Sequence, residues 1–174
     1  MNVTAGLNNS ILFAFSNQDG APDIASSIIG IYFGDEGSPL FSNFSITTET
    51  PAAGVAFTAG ATPPVFPDAQ NFTEVFTADS DGNSVADTVA NGINQSAESL
   101  VITALLASEL DTFDTVIASI LSRDLQFGLT IKVGKGSADK YLNAVPVNAV
   151  PLPAAAWLFG SALLGFVGFK RRAI

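Results

Sequence analysis

Short apolar and β-branched runs alternate with clusters of Gly, Pro, Asn, Asp and Ser along the first 149 residues. Runs of this length, bounded by turn-forming residues, are typical of strands. Several such strands at regular spacing predict a mainly β domain, either an antiparallel β-sandwich or a jelly roll. We expect strands within seven stretches: 11–15, 28–33, 41–47, 55–58, 72–77, 100–106 and 127–133.

One stretch has the period of a helix. The apolar residues that repeat at the spacing of one helix face are Phe113, Val116, Ile117, Ile120 and Leu121. Asp111 precedes them and is a credible N-cap. We therefore expect one short helix packed on a sheet.

Residues 1–142 suffice for one domain with a substantial core. The uncharged residues 143–149, with Pro146 among them, predict a linker.

The tail, residues 150–174, has a third pattern. Residues 154–169 contain no charge, and as a helix they would span about 24 Å, somewhat under the thickness of a bilayer core. Pro151 and Pro153 suit the entry of a helix, and a basic cluster after residue 169 favours the cytoplasmic side. The tail therefore predicts a transmembrane helix with the preceding domain outside. A buried core helix or a surface helix is the alternative, although Ser161 is the only polar residue around the helix, which disfavours a surface helix.

The tail resembles the VPLPA form of the PEP-CTERM sorting signal of Gram-negative bacteria, on the residues Val150-Pro-Leu-Pro-Ala-Ala-Ala-Trp-Leu-Phe-Gly-Ser and the later Lys-Arg-Arg. Tails of that family are recognised by exosortase, a membrane-embedded protease that cuts near the Pro-containing motif. The resemblance implies that this chain is a substrate, with exosortase and the membrane as partners. It implies a recognition motif at Val150, Pro151, Leu152 and Pro153, and a basic stop at Lys170, Arg171 and Arg172.

Proteins with this signal are expected to begin with a signal peptide that has a basic start and a long apolar core. Residues 1–20 contain no Lys or Arg, and the apolar run 11–15 is too short for such a core. We therefore expect the natural start to lie upstream of Met1. Short phrases between residues 54 and 143, such as Phe76-Thr-Ala-Asp-Ser-Asp81, are similar to uncharacterised PEP-CTERM ectodomains. That second resemblance implies no activity.

The charge of the chain is distributed unevenly. Residues 1–149 hold all 16 acidic residues but only four Lys or Arg, a net charge of −12, and the three cations of the tail bring the chain to −9. Such a surface repels phosphate backbones, which excludes nucleic acid as a partner. Cysteine is absent, so neither disulfides nor thiol catalysis is available.

An Asp-rich segment, Asp79-Ser-Asp-Gly-Asn-Ser-Val-Ala-Asp87, places side-chain oxygens at offsets 0, 2, 4 and 8. Calcium prefers several such oxygens at about 2.3–2.6 Å. The segment resembles a thrombospondin type 3 calcium repeat, with the candidate ligands Asp79, Asp81, Asn83 and Asp87. It departs from an EF-hand, because Gly82 comes too early and Ala90 stands at the twelfth position. The alternative is a solvated turn in which Asp and Asn side chains cap their own backbone.

The chain has no strong catalytic candidate. Histidine and cysteine are absent, which excludes the usual Ser-His-Asp, Cys-His and zinc sites. We therefore expect a non-catalytic surface or extracellular matrix protein, sorted and cleaved by exosortase, with extracellular polysaccharide as a further partner. In transit it would lie in the inner membrane with its C-terminus inside and its ectodomain outside. The alternatives are a membrane-tethered, calcium-dependent carbohydrate-binding module and, more distantly, an extracytoplasmic glycoside hydrolase that uses two carboxylates.

Overall fold

The computed structural model describes residues 1–17, 26–36, 39–49, 54–66, 72–82, 84–96, 98–134 and 137–143. The elements are, in chain order, β1 (Asn2–Ala5), β2 (Ser10–Ser16), β3 (Ser26–Asp35), β4 (Phe41–Glu49), β5 (Phe57–Ala59), β6 (Glu74–Ser80), α1 (Val85–Asn91), β7 (Ser99–Leu106), α2 (Phe113–Ser122), β8 (Leu125–Val133) and β9 (Ala138–Leu142).

The strands form two antiparallel sheets. Sheet A has the order β1-β2-β7-β4, and sheet B has the order β5-β6-β3-β8-β9. Neighbouring strands in both sheets pair antiparallel. The prediction of a mainly β, antiparallel domain is confirmed, and the two sheets are consistent with a sandwich.

The core lies between the two sheets and is rich in phenylalanine. Phe33 of sheet B is fully buried, and its ring centroid lies 5.0 Å from that of Phe13 and 5.2 Å from that of Phe44, both in sheet A. Phe127, in sheet B, lies 5.1 Å from Phe33. Aromatic pairs at these separations add about 0.5–1.5 kcal/mol each to the stabilisation from burial. These rings therefore hold the sheets together.

Strand alternation follows the sequence pattern. In β2, Ile11, Phe13 and Phe15 are buried, whereas Leu12 and Ala14 between them are partly exposed, as expected when successive side chains point to opposite faces. Each of the seven predicted stretches overlaps one strand, from β2 to β8. The two strands that the pattern did not predict, β1 and β9, both lie at the edges of sheets.

The helical stretch is confirmed as α2, which buries Val116 against the core. Its N-cap, however, is Thr112 rather than the predicted Asp111. The Thr112 hydroxyl accepts the N–H of Thr115 at 3.3 Å, and the Thr115 hydroxyl accepts the N–H of Thr112 at 3.3 Å. This reciprocal pair is a capping box, and it satisfies two backbone donors that the helix leaves free. The prediction of one helix was incomplete, because α1 is a second.

Sheet B is covered on its outer face by aromatic rings that lie over glycines. A Cβ at Gly128 would lie 2.3 Å from the ring of Phe66, and one at Gly34 would lie 2.7 Å from the ring of Phe72. Phe66 also packs edge to face on Tyr32 of β3, at 5.4 Å between centroids. β3 is therefore buried on both faces, and Gly34 of β3 and Gly128 of β8 leave room for the rings.

Candidate functional site

The candidate calcium ligands lie where β6 ends and α1 begins. Asp79 is the penultimate residue of β6 and Asp81 follows the strand, and both side chains are exposed. Asp87 belongs to the first turn of α1, although its side chain lies outside the described residues, as does the whole of Asn83. The structure therefore brings together two of the four predicted ligands and leaves the other two untested.

Hydrogen bonds hold the backbone around this loop on both sides. The N–H of Asp81 donates to the carbonyl of Ala56 at 2.9 Å, and the side-chain amide of Asn91 donates to the carbonyl of Asp81. The hydroxyl of buried Ser80 donates to the carbonyl of Thr88 at 2.7 Å, which ties the end of β6 to α1. These hydrogen bonds therefore hold the backbone next to Asp79 and at Asp81 in place.

Gly82 allows the loop to approach α1 closely. A Cβ at this position would lie 2.4 Å from the amide nitrogen of Thr88 and 2.5 Å from its hydroxyl oxygen. Among the described glycines, positive φ angles occur at Gly54, Gly60 and Gly134, and not at Gly82. The glycine is thus required here by the contact with the helix and not by a left-handed turn.

The charge of Asp81 affects the protonation of Asp79. The pKa of Asp79 is raised above its usual 3.8, first by partial burial and second by the negative charge of Asp81. A cation between them would relieve this repulsion. Calcium requires more oxygens than these two residues supply, and within the described part of the chain no three acidic side chains come together. A calcium site here therefore depends on Asn83, Asp87 or backbone carbonyls to complete the ligand set.

A second candidate site is a shallow groove of about 620 Å³ beside β9. Its lining residues are Val65, Phe66, Ala138, Asp139, Lys140 and Tyr141. Val65 is 88% exposed and Tyr141 50% exposed, so the groove presents apolar surface to solvent next to one acidic and one basic residue. An open groove of this kind can accept an extended chain, whereas most small-molecule sites enclose their ligand.

Tyr32 lies beneath Phe66 and is almost completely buried. Burial is the main reason why its pKa lies above the usual 10.0. The phenol therefore stays protonated at neutral pH, and its role is to pack against Phe66.

The predicted sorting signal lies outside the described residues. This applies to the motif (Val150, Pro151, Leu152, Pro153), to the apolar stretch 154–169 and to the basic stop (Lys170, Arg171, Arg172). Within the residues that are described, no helix has the length and hydropathy needed to cross a membrane. The last described residue before the tail, Asn143, is bound to β8: its Oδ1 accepts the N–H of Phe127 at 2.9 Å, and its N–H donates to the carbonyl of Phe127 at 2.9 Å.

Comparison with known proteins gave no match among family models, curated proteins or solved structures.

The groove beside β9 was not predicted from the sequence, because residues 65–66 and 138–141 are far apart in the chain and neither segment has a recognisable motif. The one local indication of the groove was Val65, which follows two prolines. A large apolar residue in a Pro-rich loop indicates an apolar surface that is exposed to solvent.

Proposed function

We propose that this chain is a non-catalytic exported protein of the cell surface or extracellular matrix, which exosortase sorts and cleaves at its C-terminal signal. The observation that carries the proposal is the order of three parts in the tail: the motif at 150–153, the uncharged stretch 154–169 and the basic stop at 170–172. In this proposal residues 154–169 form a transmembrane helix, the domain faces outward and the C-terminus stays inside.

The position of Asn143 supports this arrangement. Its hydrogen bonds to Phe127 are the last described contacts of the domain, and Val150 follows seven residues later. Seven residues span about 25 Å at most when fully extended. In the proposed arrangement, a protease in the membrane would therefore act on a motif that begins no more than about 25 Å from Asn143.

The processing step can be tested in cells with and without exosortase, with the full chain placed behind a working signal peptide. Pro151 and Pro153 are both replaced by Ala, and Pro146→Ala serves as the control because it lies in the same segment but outside the motif. Intact mass and membrane fractionation are the readouts. We expect the unmodified chain and Pro146→Ala to lose the tail only in exosortase-positive cells, and the double variant to keep it.

Two outcomes would overturn the proposal. One is normal processing of the Pro151→Ala, Pro153→Ala variant, since the motif would then play no part in recognition. The other is an intact tail in the membranes of both kinds of cell, which would make this a membrane-anchored domain that is not processed. Far-UV circular dichroism of the purified double variant checks that the domain itself is unchanged.

A second candidate is a calcium-dependent carbohydrate-binding module. It is favoured by the two neighbouring carboxylates of Asp79 and Asp81, one of which raises the pKa of the other. The test is calorimetric titration of calcium chloride into the purified chain. Uptake is expected in the unmodified chain and in Asp139→Asn, and its loss is expected in Asp79→Asn with Asp81→Asn. Absence of calcium uptake by the unmodified chain would remove this candidate.

A further inference from the structure

The groove beside β9 brings apolar and charged side chains together at one open surface. Phe66 is almost completely buried, whereas Val65 and Tyr141 are exposed to solvent. Asp139 and Lys140 add one negative and one positive charge to the same lining. A ligand in this groove therefore meets apolar surface and hydrogen-bonding groups side by side.

The groove is large enough to hold a ligand but does not enclose one. Its volume of about 620 Å³ lies within the range of about 300–1,000 Å³ that is typical of ligand pockets. Two of its six lining residues, Val65 and Tyr141, are at least half exposed. An open groove of this size suits a few consecutive units of a polymer that continues beyond it.

The charge of the domain restricts which polymer can bind. A net charge of −12 on residues 1–149 repels acidic polysaccharides, nucleic acids and anionic lipid surfaces. At the groove itself the charges of Asp139 and Lys140 balance, so its lining offers no net charge to a basic polymer. The groove therefore suits an uncharged polymer.

An extended peptide fits this surface less well than a sugar chain does. A peptide that binds at the edge of a sheet pairs its backbone with the edge strand. β9 has five residues and carries Asp139 and Lys140 side by side, and short, charged edge strands resist such pairing. A polysaccharide needs no backbone partner, so this property of β9 does not oppose its binding.

The side chains of the groove match the two kinds of surface on a sugar ring. A sugar ring has a face of C–H groups, which packs on an aromatic ring, and a rim of hydroxyls, which donate and accept hydrogen bonds. Tyr141 offers an exposed aromatic ring. The carboxylate of Asp139 is an acceptor, and the ammonium group of Lys140 is a donor. One neutral sugar unit can therefore use all three side chains.

We propose that the groove beside β9 binds a neutral polysaccharide, with a sugar ring stacked on Tyr141 and its hydroxyls bonded to Asp139 and Lys140. This proposal rests on the proposed function, because it gives the extracellular polysaccharide expected as a partner a chemical class and a site. None of the lining residues of the groove belongs to the acidic loop 79–87. Binding at the groove therefore requires no calcium.

The chain has two tyrosines, and they make this site directly observable. Tyr141 is half exposed in the groove, whereas Tyr32 is almost completely buried. The full-length chain labelled with 3-fluorotyrosine should give two fluorine NMR resonances, which Tyr141→Phe assigns. A polyoxyethylene detergent keeps the chain in solution, because the headgroups of sugar-based detergents would compete for the groove.

The neutral probes are dextran, laminarin and mannan. Alginate is the acidic polysaccharide, and a tryptic digest of casein supplies peptides. At least one neutral probe should shift the resonance of Tyr141 further than that of Tyr32. Because the ligand is uncharged, the shift should be the same at about 50 and 500 mM NaCl, and EDTA should not change it.

Three results would overturn the proposal. One is the absence of a shift with all three neutral probes. Another is a shift with alginate or peptides alone, which would assign the groove to a different class of ligand. The third is loss of the shift in EDTA, which would place binding at a calcium site.

Variants of Tyr141 test its contact with the sugar, with calorimetric titration of the neutral probe as the measurement. Tyr141→Ala should weaken binding by about 2- to 10-fold, because the aromatic contact is lost, and Tyr141→Phe should keep the affinity, because the ring remains. Leu110→Ala removes an exposed apolar side chain that does not line the groove, and it should leave the affinity unchanged. Equal affinities of Tyr141→Ala and Leu110→Ala would contradict the proposal.

Failure of this proposal can be told from failure of the proposed function. The NMR titration uses the uncleaved chain, whereas sorting is measured by loss of the tail in cells. Normal processing without polysaccharide binding would overturn the assignment of the groove alone. Binding without processing would overturn the sorting proposal and leave the groove assignment in place.

Discussion

The carboxyl group of Asp79 holds its proton more tightly in the folded chain than in the unfolded one. Partial burial raises its pKa and the charge of Asp81 raises it further. The stability that this group contributes is therefore fully present below the unfolded value of 3.8 and is lost as the pH rises through the native pKa. At neutral pH the ionised side chain opposes folding, by less than about 1 kcal/mol because it is mostly exposed.

Replacing Asp81 with Asn should lower the pKa of Asp79 toward 3.8 without reaching it, because burial, the larger cause, remains. A carbon-13 NMR titration of the side-chain carboxyl groups measures this directly. Asp139→Asn, which removes a charge from β9, should leave the pKa of Asp79 unchanged. If the pKa of Asp79 is the same with and without Asp81, the two carboxylates do not interact, and the support for a shared cation disappears.

At the scale of elements, burial decides which strands the sequence could predict. The interior strands were found because they bury one face or both, as the alternation of Ile11, Phe13 and Phe15 in β2 illustrates. β1 contains one large apolar residue, Val3, and β9 carries two charges. Such strands form because their backbone pairs with that of the neighbouring strand. The hydrophobic pattern of the sequence does not show this pairing.

The two helices also differ in how clearly the sequence predicts them. α2 has a regular apolar face and was found, but its N-cap was assigned one residue early because Asp111 and Thr112 are both good capping residues. α1 has only seven residues. The pattern Ser84-Val-Ala-Asp87 could have indicated its start, since a Ser followed three residues later by an acidic residue is a capping signature. Asp87 was interpreted only as a calcium ligand.

The candidate sites were predictable only where they are local in sequence. The acidic loop was found because its residues are close in sequence, and the charge of Asp81 contributes to the raised pKa of Asp79. Gly82 is needed because of its close contact with Thr88, which lies six residues further along the chain, and the sequence pattern does not show that contact. The groove beside β9 joins two distant segments, and no local pattern predicts it.

At the scale of the whole molecule, the outer faces of the two sheets differ in charge. The registers of sheet A place Thr4, Leu12, Thr103 and Ser45, none of which is charged, in one row across its outer face. Sheet B carries Asp79 and Lys140 on its outer face. Strand pairing within each sheet fixes this difference, and the core between the sheets keeps both faces turned outward.

Phe33 is the residue on which the packing of the two sheets against each other depends most directly. Its ring contacts Phe13, Phe15 and Phe44 of sheet A and Phe76 and Phe127 of sheet B. Phe33→Ala should lower the free energy of unfolding by about 3–5 kcal/mol, through lost burial and the cavity that remains. That is a large part of the roughly 5–15 kcal/mol by which a domain is usually stable.

Guanidinium unfolding followed by far-UV circular dichroism measures this loss. Trp fluorescence would not serve, because the single Trp is Trp157 in the tail. Leu110→Ala is the control: Leu110 is 90% exposed, so removing its side chain should change the free energy of unfolding by less than about 0.5 kcal/mol. If Phe33→Ala cost no more than Leu110→Ala, the aromatic cluster would not be what joins the sheets.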